Sequence, residues 1–171
     1  MKFGEQLRAS VIREYQWYYI DYAELKADLK NATGPARSAS ASASGPGSTF
    51  KSDSRKSWSE EDERRFVGKL EDELDKVHTK QQLKALEITR RIAVSEREVK
   101  EVVSRLDERG PGDQGPAEEE FILLEEDLND LIADVHDLSK FVQLNYTGFY
   151  KIIKKHDVRL SLLLRCGGEA S

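Results

Sequence analysis

The 171-residue sequence contains a single cysteine, Cys166, so no disulfide can form within the chain. This cysteine usage fits a reducing compartment such as the cytosol. No apolar run approaches the roughly 20 residues that a membrane-spanning helix needs, and the first seven residues lack the apolar core of a signal peptide. Basic residues do not dominate, because the formal net charge is −5, which argues against a general nucleic-acid-binding module. The sequence therefore predicts a soluble chain, or the soluble part of a larger protein.

Proline is scarce, and the four prolines fall in two short regions. From Thr33 to about Lys56 the composition shifts to Ser, Ala, Gly and Pro, which predicts a flexible insert at 33–56 within a domain. A second loop is predicted at 110–116. Because no proline lies between Trp58 and Gly110, one long helix can occupy that stretch, with Ser57 or Ser59 as its N-cap.

Apolar residues recur at helical spacing along the chain, and no segment shows the alternation of a strand. The apolar spacing within 3–31 predicts two short helices. The spacing after Pro116 predicts a second long helix, with acidic residues in its first turn. The predicted fold is all-α: an N-terminal helical hairpin packed on a bundle with two long antiparallel helices and a short C-terminal basic helix. The predicted core stripe of the second long helix is Phe121, Leu124, Leu128, Leu131, Ile132, Val135 and Leu138.

A cluster of positive charge lies near the C-terminus of this acidic chain. The pair Thr147-Gly148 predicts a break, with Thr147 capping a new short helix. Lys151, Lys154 and Lys155 follow at i, i+3 and i+4, so their ammonium groups share one helix face. One hypothesis is a site for a polyanion. The alternative is a solvated C-terminal cap, because cations there complement the helix dipole.

Tyr22 and Lys26 form a second polar pair, at i and i+4 on one of the short N-terminal helices. A phenol and an ammonium group can both donate hydrogen bonds to a phosphate oxygen. The alternative interpretation is a half-buried tyrosine at the edge of a bundle, with a solvated lysine beside it.

The three histidines, His78, His136 and His156, raise the question of a metal site. A di-metal helical bundle needs Glu-x-x-His motifs, and Ala133 stands where that Glu would precede His136. The sequence contains no nucleophile elbow, glycine-rich phosphate loop or zinc pattern. We therefore expect no catalytic residue, no metal and no cofactor in this chain.

Three segments taken together resemble the SPX domain family. They are Met1–Leu7, Tyr15–Lys26 and Leu144–Asp157. The resemblance covers residues 1–157 and leaves 158–171 as a divergent tail. Two further runs, at 73–77 and 133–141, most resemble the fungal vacuolar transporter chaperone subunits, above all the subunit that polymerises polyphosphate.

SPX domains bind inositol polyphosphates, including inositol hexakisphosphate, and inositol pyrophosphates, and they report cellular phosphate status. The resemblance implies that Tyr22, Lys26 and Lys155 form a phosphate-binding cluster beside a looser lysine surface. The complete implied ligand site is Lys2, Tyr22, Lys26, Lys151, Lys154 and Lys155. One departure concerns the position after His-Asp, where the family usually carries a lysine. Here that position is Val158, and the following Arg159 points about 100° away on a helix.

The resemblance also implies a role and a place for the chain. It would be a non-catalytic sensor that regulates polyphosphate synthesis by an attached catalytic domain outside this sequence. Its partners would be inositol phosphates and other subunits of a membrane-bound polymerase complex, on the cytosolic face of the vacuolar membrane. Three alternatives remain: a helical protein–protein interaction module without ligand sensing, the SPX domain of a phosphate transporter or glycerophosphodiesterase, and an enzyme acting on phosphate esters.

Overall fold

The computed structural model describes residues 2–31, 58–108 and 117–167, and the side-chain surroundings of 2–30, 58–106, 108 and 120–161. The insert predicted at 33–56, the loop predicted at 110–116 and the last residues of the tail lie outside the described residues. Across the described ranges the chain is helical and contains no strand, which confirms the predicted all-α class. The elements are α1 (Phe3–Ser10), a 3₁₀ turn (Arg13–Tyr18), α2 (Tyr22–Asn31), α3 (Glu60–Asp107) and α4 (Ala117–Gly167).

The chain divides into two compact units. Among the described residues, the first comprises 2–6, 20–31, 58–75 and 147–167, and the second comprises 7–19, 76–108 and 117–146. Both long helices, α3 and α4, contribute a segment to each unit. Within the described helices, no stretch combines the length and the hydrophobicity that a membrane span requires.

In the first unit, α3 begins with a reciprocal capping pair. The Ser59 hydroxyl accepts a hydrogen bond from the Asp62 backbone N–H at 3.1 Å, and the Asp62 carboxylate accepts one from the Ser59 N–H at 3.2 Å. This arrangement satisfies two backbone donors at the helix start, so of the two predicted candidates Ser59 is the N-cap, and Ser57 lies outside the described residues. Farther along α3, Lys69 contacts Glu24 and Asp28 of α2 at 2.7 and 2.8 Å. These contacts tie α2 to α3.

The core of the second unit is built on the 3₁₀ turn and α4. Tyr15 is fully buried and meets the buried ring of Phe141 edge-on, with ring centroids 5.1 Å apart. Tyr19 packs on the same ring at 5.0 Å. The ammonium group of Lys80, on α3, lies 5.0 Å from the centre of the Tyr15 ring, a cation–π distance. The turn is thereby held between the two long helices.

The two long helices run antiparallel in the second unit, as predicted. Two ion pairs fix their register: Arg105 of α3 lies 2.9 Å from Glu120 of α4, and Arg91 contacts Asp134. Later residues of α3 therefore lie beside earlier residues of α4.

The predicted break at Thr147-Gly148 is wrong, and the short C-terminal basic helix is instead the final part of α4. The helix continues through both residues to Gly167. A glycine inside a helix costs roughly 1 kcal/mol relative to alanine, but Gly148 is buried beside Ile20 and Phe3. Packing therefore outweighs local propensity at this position.

The predicted core stripe of α4 is only partly correct. Leu131 is buried and Leu124 and Leu138 are half-buried, whereas four other members of the stripe are exposed. The apolar stripe of α4 is wider than the surface that α3 buries, so the residues at its outer edge remain exposed. The exposed members are Phe121, Leu128, Ile132 and Val135.

Candidate anion-binding site

The first unit contains an open cleft of about 640 Å³, which we call the lysine cleft. Residues from the start of α1, the start of α2 and the last third of α4 form its walls. All six residues of the sequence-predicted ligand site line this one cleft. The complete lining is Lys2, Phe3, Gly4, Tyr22, Lys26, Lys151, Lys154, Lys155 and Val158.

The N-terminal wall is positioned by the starts of two helices. The Lys2 carbonyl accepts hydrogen bonds from the N–H groups of Glu5 and Gln6 at 2.9 and 3.1 Å, so Lys2 directly precedes the first turn of α1. Asp21 caps α2, because its carboxylate accepts a hydrogen bond from the Glu24 N–H at 2.9 Å. That cap orients Tyr22, the first residue of α2, toward the lysine cleft.

Tyr22 is buried apart from the edge that lines the lysine cleft. Its ring meets Phe3 edge-on, with centroids 4.9 Å apart, which joins α1 to α2. Burial raises the pKa of the Tyr22 phenol. The phenol therefore keeps its proton at neutral pH and can act as a hydrogen-bond donor.

The opposite wall is the lysine face of α4. Lys151, Lys154 and Lys155 are exposed, and the ammonium group of Lys151 lies 5.4 Å from the centre of the Phe3 ring. Lys155 lies about three turns before the end of α4 at Gly167. A dipole contribution is confined to the last turn, so the structure argues against the interpretation of these lysines as a C-terminal cap.

Gly148 explains how α4 comes close to the N-terminal wall. A Cβ atom at this position would lie 2.8 Å from Ile20 Cγ2 and 3.7 Å from Phe3 Cε1. The first distance is shorter than side-chain carbon atoms tolerate. A larger residue would therefore push α4 away from Ile20, which directly precedes Asp21 and α2.

The electrostatics of the lysine cleft are one-sided. Five lysines line it and no carboxylate does. Within the described part of the chain, these lysines form no ion pair. Like charges gathered in this way repel each other unless an anion lies between them. The arrangement therefore suits a ligand with several negative charges, and an ammonium group binds phosphate as a point charge.

Val158 and Arg159 differ in their positions relative to the lysine cleft. Val158 lines it and is 54% exposed, so an apolar side chain occupies the place where the resemblance to the SPX family predicts a lysine. Arg159 packs over the Trp58 ring, 4.4 Å from its centre. Burial lowers the pKa of Arg159, although Asp62 and Glu63 act in the opposite direction. Arg159 therefore does not replace the missing lysine.

His156 has a structural role that the sequence pattern did not reveal. Its ring stacks on Phe66 at 5.1 Å with an interplanar angle of 7°, and its Nε2 lies 2.9 and 3.0 Å from the two carboxylate oxygens of Glu63. The Trp58 indole N–H donates to the same carboxylate at 2.6 Å. These contacts fix the lysine-bearing part of α4 to α3. The sequence contains one indication of this role, because His156 directly follows Lys155 and therefore lies on a different helix face.

No metal site is found within the part of the chain that the structure describes. There, no group of three or more His, Cys, Asp or Glu side chains is arranged to hold an ion. Of the histidines considered as ligands, His156 is engaged by Glu63 and Phe66, whereas His78 and His136 are exposed.

The chain is similar in sequence to known proteins. No protein-family model matches the chain. The chain is 41% identical over 165 residues to subunit 4 of the vacuolar transporter chaperone complex of Schizosaccharomyces pombe, covering 96% of this chain and 20% of that relative. It is 32% identical over 157 residues to subunit 2 of the same complex, covering 92% of this chain and 18% of that relative. The chain thus spans about a fifth of the length of these relatives.

Its fold also matches a solved structure. This is the SPX domain of the Chaetomium thermophilum glycerophosphodiester phosphodiesterase 1, in complex with inositol hexakisphosphate. The TM-score is 0.63 at 27% sequence identity, and the match covers 93% of this chain and 76% of the other.

Proposed function

The chain is an SPX domain similar in sequence to vacuolar transporter chaperone subunits, and on that premise we propose that it binds inositol polyphosphates or inositol pyrophosphates in the lysine cleft. One observation carries the proposal. Lysines from residues 2–26 and 151–155, far apart in sequence, converge on one cleft that no carboxylate lines. The inositol hexakisphosphate bound to the related SPX domain supports the ligand class.

The site has two walls that a multiply phosphorylated ring engages together. Tyr22 and Lys26 donate from α2, while Lys155 donates from α4 at the same cleft. Lys2, Lys151 and Lys154 surround this cluster and add longer-range attraction. A hydrogen bond to a charged group contributes about 1.5–3 kcal/mol. Inorganic phosphate reaches only a few of these donors at once, so we expect it to bind far more weakly than inositol hexakisphosphate.

The test is titration calorimetry of inositol hexakisphosphate against the 171-residue chain and the double variant Lys26→Ala/Lys155→Ala. We expect the double variant to bind at least about 100-fold more weakly, because two charge-assisted contacts are lost and each contributes at least about 1.5 kcal/mol. Lys140→Ala is the matched control, since Lys140 is an exposed lysine of α4 outside the lysine cleft. Unchanged affinity in a folded double variant would refute the site, and an equal loss in the Lys140 variant would indicate nonspecific charge attraction.

We also propose that ligand binding regulates polyphosphate synthesis by a catalytic domain attached to this one, on the cytosolic face of the vacuolar membrane. The similarity to whole chaperone-complex subunits, of which this chain spans about a fifth, supports this role. In the longer protein, inositol hexakisphosphate should change the rate of polyphosphate synthesis, and Lys26→Ala/Lys155→Ala should remove that response. An unaltered response in that variant would separate regulation from the lysine cleft.

A further inference from the structure

Independently of the lysine cleft, the second unit exposes two matching apolar stripes on α3 and α4. In each stripe the members stand at i, i+7, i+11 and i+14, which places all four within about 60° of one helix face. Their exposed fractions run from 36% to 58%. The stripe residues are Ile92, Val99, Val103 and Leu106 on α3, and Phe121, Leu128, Ile132 and Val135 on α4.

The two stripes lie on the same side of the α3–α4 pair. Arg91 and Asp134 form an ion pair between the helices, and each directly precedes a stripe residue, Ile92 or Val135. One residue forward turns the helix face by about 100°. Because the helices are antiparallel, this turn leads to the same side on both. Arg105 and Glu120 form a second ion pair between the helices, and they directly precede the stripe residues Leu106 and Phe121.

The register also brings the stripes level with each other. Ile92 lies level with Val135 at one end, and Leu106 lies level with Phe121 at the other. The stripes therefore form the two walls of one apolar groove. Fourteen residues of helix give the groove a length of about 21 Å.

This apolar groove is larger than a monomeric protein ordinarily exposes. With the exposed fractions above, its eight side chains offer on the order of 700 Å², whereas the largest apolar patch on a typical monomer is about 300–600 Å². About 800 Å² per partner forms a standard protein interface. The groove thus has the size of an interaction surface, and its heptad-like spacing suits a helix as the occupant.

The charge at the margin of the groove restricts the kind of helix that fits. Each stripe carries a glutamate at the same place, i+4 from its first member: Glu96 on α3 and Glu125 on α4. Glu96 pairs with Lys100 at 2.7 Å in an exposed contact, which contributes little. From Ala117 to Asp137, α4 contains no Lys or Arg. An incoming helix therefore meets carboxylates on both sides of its apolar stripe.

We propose that the apolar groove binds an amphipathic helix of another protein, about four turns long, whose apolar stripe is flanked by lysine or arginine. The incoming helix completes a three-helix bundle with α3 and α4. Its apolar side chains cover the eight exposed side chains, and its basic residues meet Glu96 and Glu125. The relevant contacts all lie in the second unit and involve no residue of the lysine cleft.

The proposal can be tested with a synthetic probe and the 171-residue chain. The probe is a fluorescent 18-residue helical peptide with leucine at the a and d positions and lysine at e and g. Two companion peptides carry glutamate at e and g, or alanine at a and d. Fluorescence anisotropy at physiological salt should show binding of the leucine–lysine peptide, with at least tenfold weaker binding of both companions. Equal binding of the three peptides would overturn the proposal.

Variants of the chain locate the contact. Leu128→Glu and Ile132→Glu change exposed groove residues, so each should retain the helical circular dichroism of the parent and bind the leucine–lysine peptide at least tenfold more weakly. Leu123→Glu is the matched control, because Leu123 is 63% exposed on α4 but turned about 140° from Leu128. A loss in the control as large as in the groove variants would overturn the assignment. So would sedimentation showing that a second copy of the chain fills the groove.

Discussion

Substituting alanine for Gly148 tests whether the close approach of α4 to the N-terminal wall positions the lysine cleft. The added Cβ would lie 2.8 Å from Ile20 Cγ2 in a buried contact. Either Ile20 or α4 must therefore shift. We expect Gly148→Ala to destabilise the chain and to weaken binding of inositol hexakisphosphate, because Lys151 and Lys155 move away from Tyr22.

Two opposing effects set the size of the change. Alanine is favoured over glycine inside a helix by about 1 kcal/mol, whereas forcing an extra methyl group into a packed contact costs about 1–3 kcal/mol. The net result should be a destabilisation of about 0–2 kcal/mol. Gly68 of α3 supplies the matched control, since a Cβ there meets nothing within 4 Å. Gly68→Ala should therefore stabilise the chain by about 0.5–1 kcal/mol.

Urea unfolding followed by circular dichroism measures the free energy of unfolding of both variants, and calorimetry measures their affinity for inositol hexakisphosphate. Ile20→Ala removes the clashing Cγ2 atom, so it should restore part of the lost affinity when combined with Gly148→Ala. The coupling between the two positions follows from a double-mutant cycle. If Gly148→Ala stabilises the chain as much as Gly68→Ala and leaves affinity unchanged, the reasoning about the close approach is refuted.

Two further predictions concern Val158 of α4 and Glu63 of α3. Val158→Lys should tighten binding of inositol hexakisphosphate about three- to tenfold and steepen its salt dependence, since Val158 already lines the cleft. Calorimetry at two salt concentrations measures the affinity and its salt dependence. An equal gain in affinity from Val158→Gln would contradict the prediction. Burial tends to raise the pKa of Glu63, but hydrogen bonds from His156 and Trp58 hold that pKa below its ordinary value of 4.5. Ionised Glu63 therefore stabilises the fold above pH 4.5, and this contribution is lost as the pH falls through the lowered pKa. Urea unfolding should show stability falling more steeply below pH 4.5 in the parent than in Glu63→Gln, and parallel curves would contradict this.

The helical class and the two long helices were predictable because they depend on local properties. Spacing of apolar residues, the Ser59 cap and the distribution of proline are all encoded over a few neighbouring positions. The break at Thr147-Gly148 was predicted wrongly for the complementary reason. Whether a glycine ends a helix or allows another segment to pack closely depends on the residues around it. The residue that packs against Gly148 is Ile20, which is distant in sequence and therefore not visible in the local pattern.

The residues of the lysine cleft were predictable as a set only through the family resemblance. Periodicity alone grouped Lys151 with Lys155 and Tyr22 with Lys26, but it could not bring the two groups together. The contacts of His156 with Glu63 and Phe66 were missed because they connect residues far apart in the chain. The exposed outer edge of the α4 stripe was not predicted, because the spacing of apolar residues shows which of them share a helix face but not which of them a neighbouring helix buries.

The position of the two walls in the sequence has a consequence for the dynamics of the chain. One wall comes from residues 2–26 and the other from residues 151–158, so an anion that touches both closes a loop of most of the chain. The bound anion thus acts as a reversible, non-covalent cross-link between the two walls, in a chain whose single cysteine cannot form an internal disulfide. Because such a ligand binds the folded state and not the separated ends, mass action links its concentration to the opening of α1 and α2. The extent of fraying at the N-terminus therefore depends on the concentration of the anion.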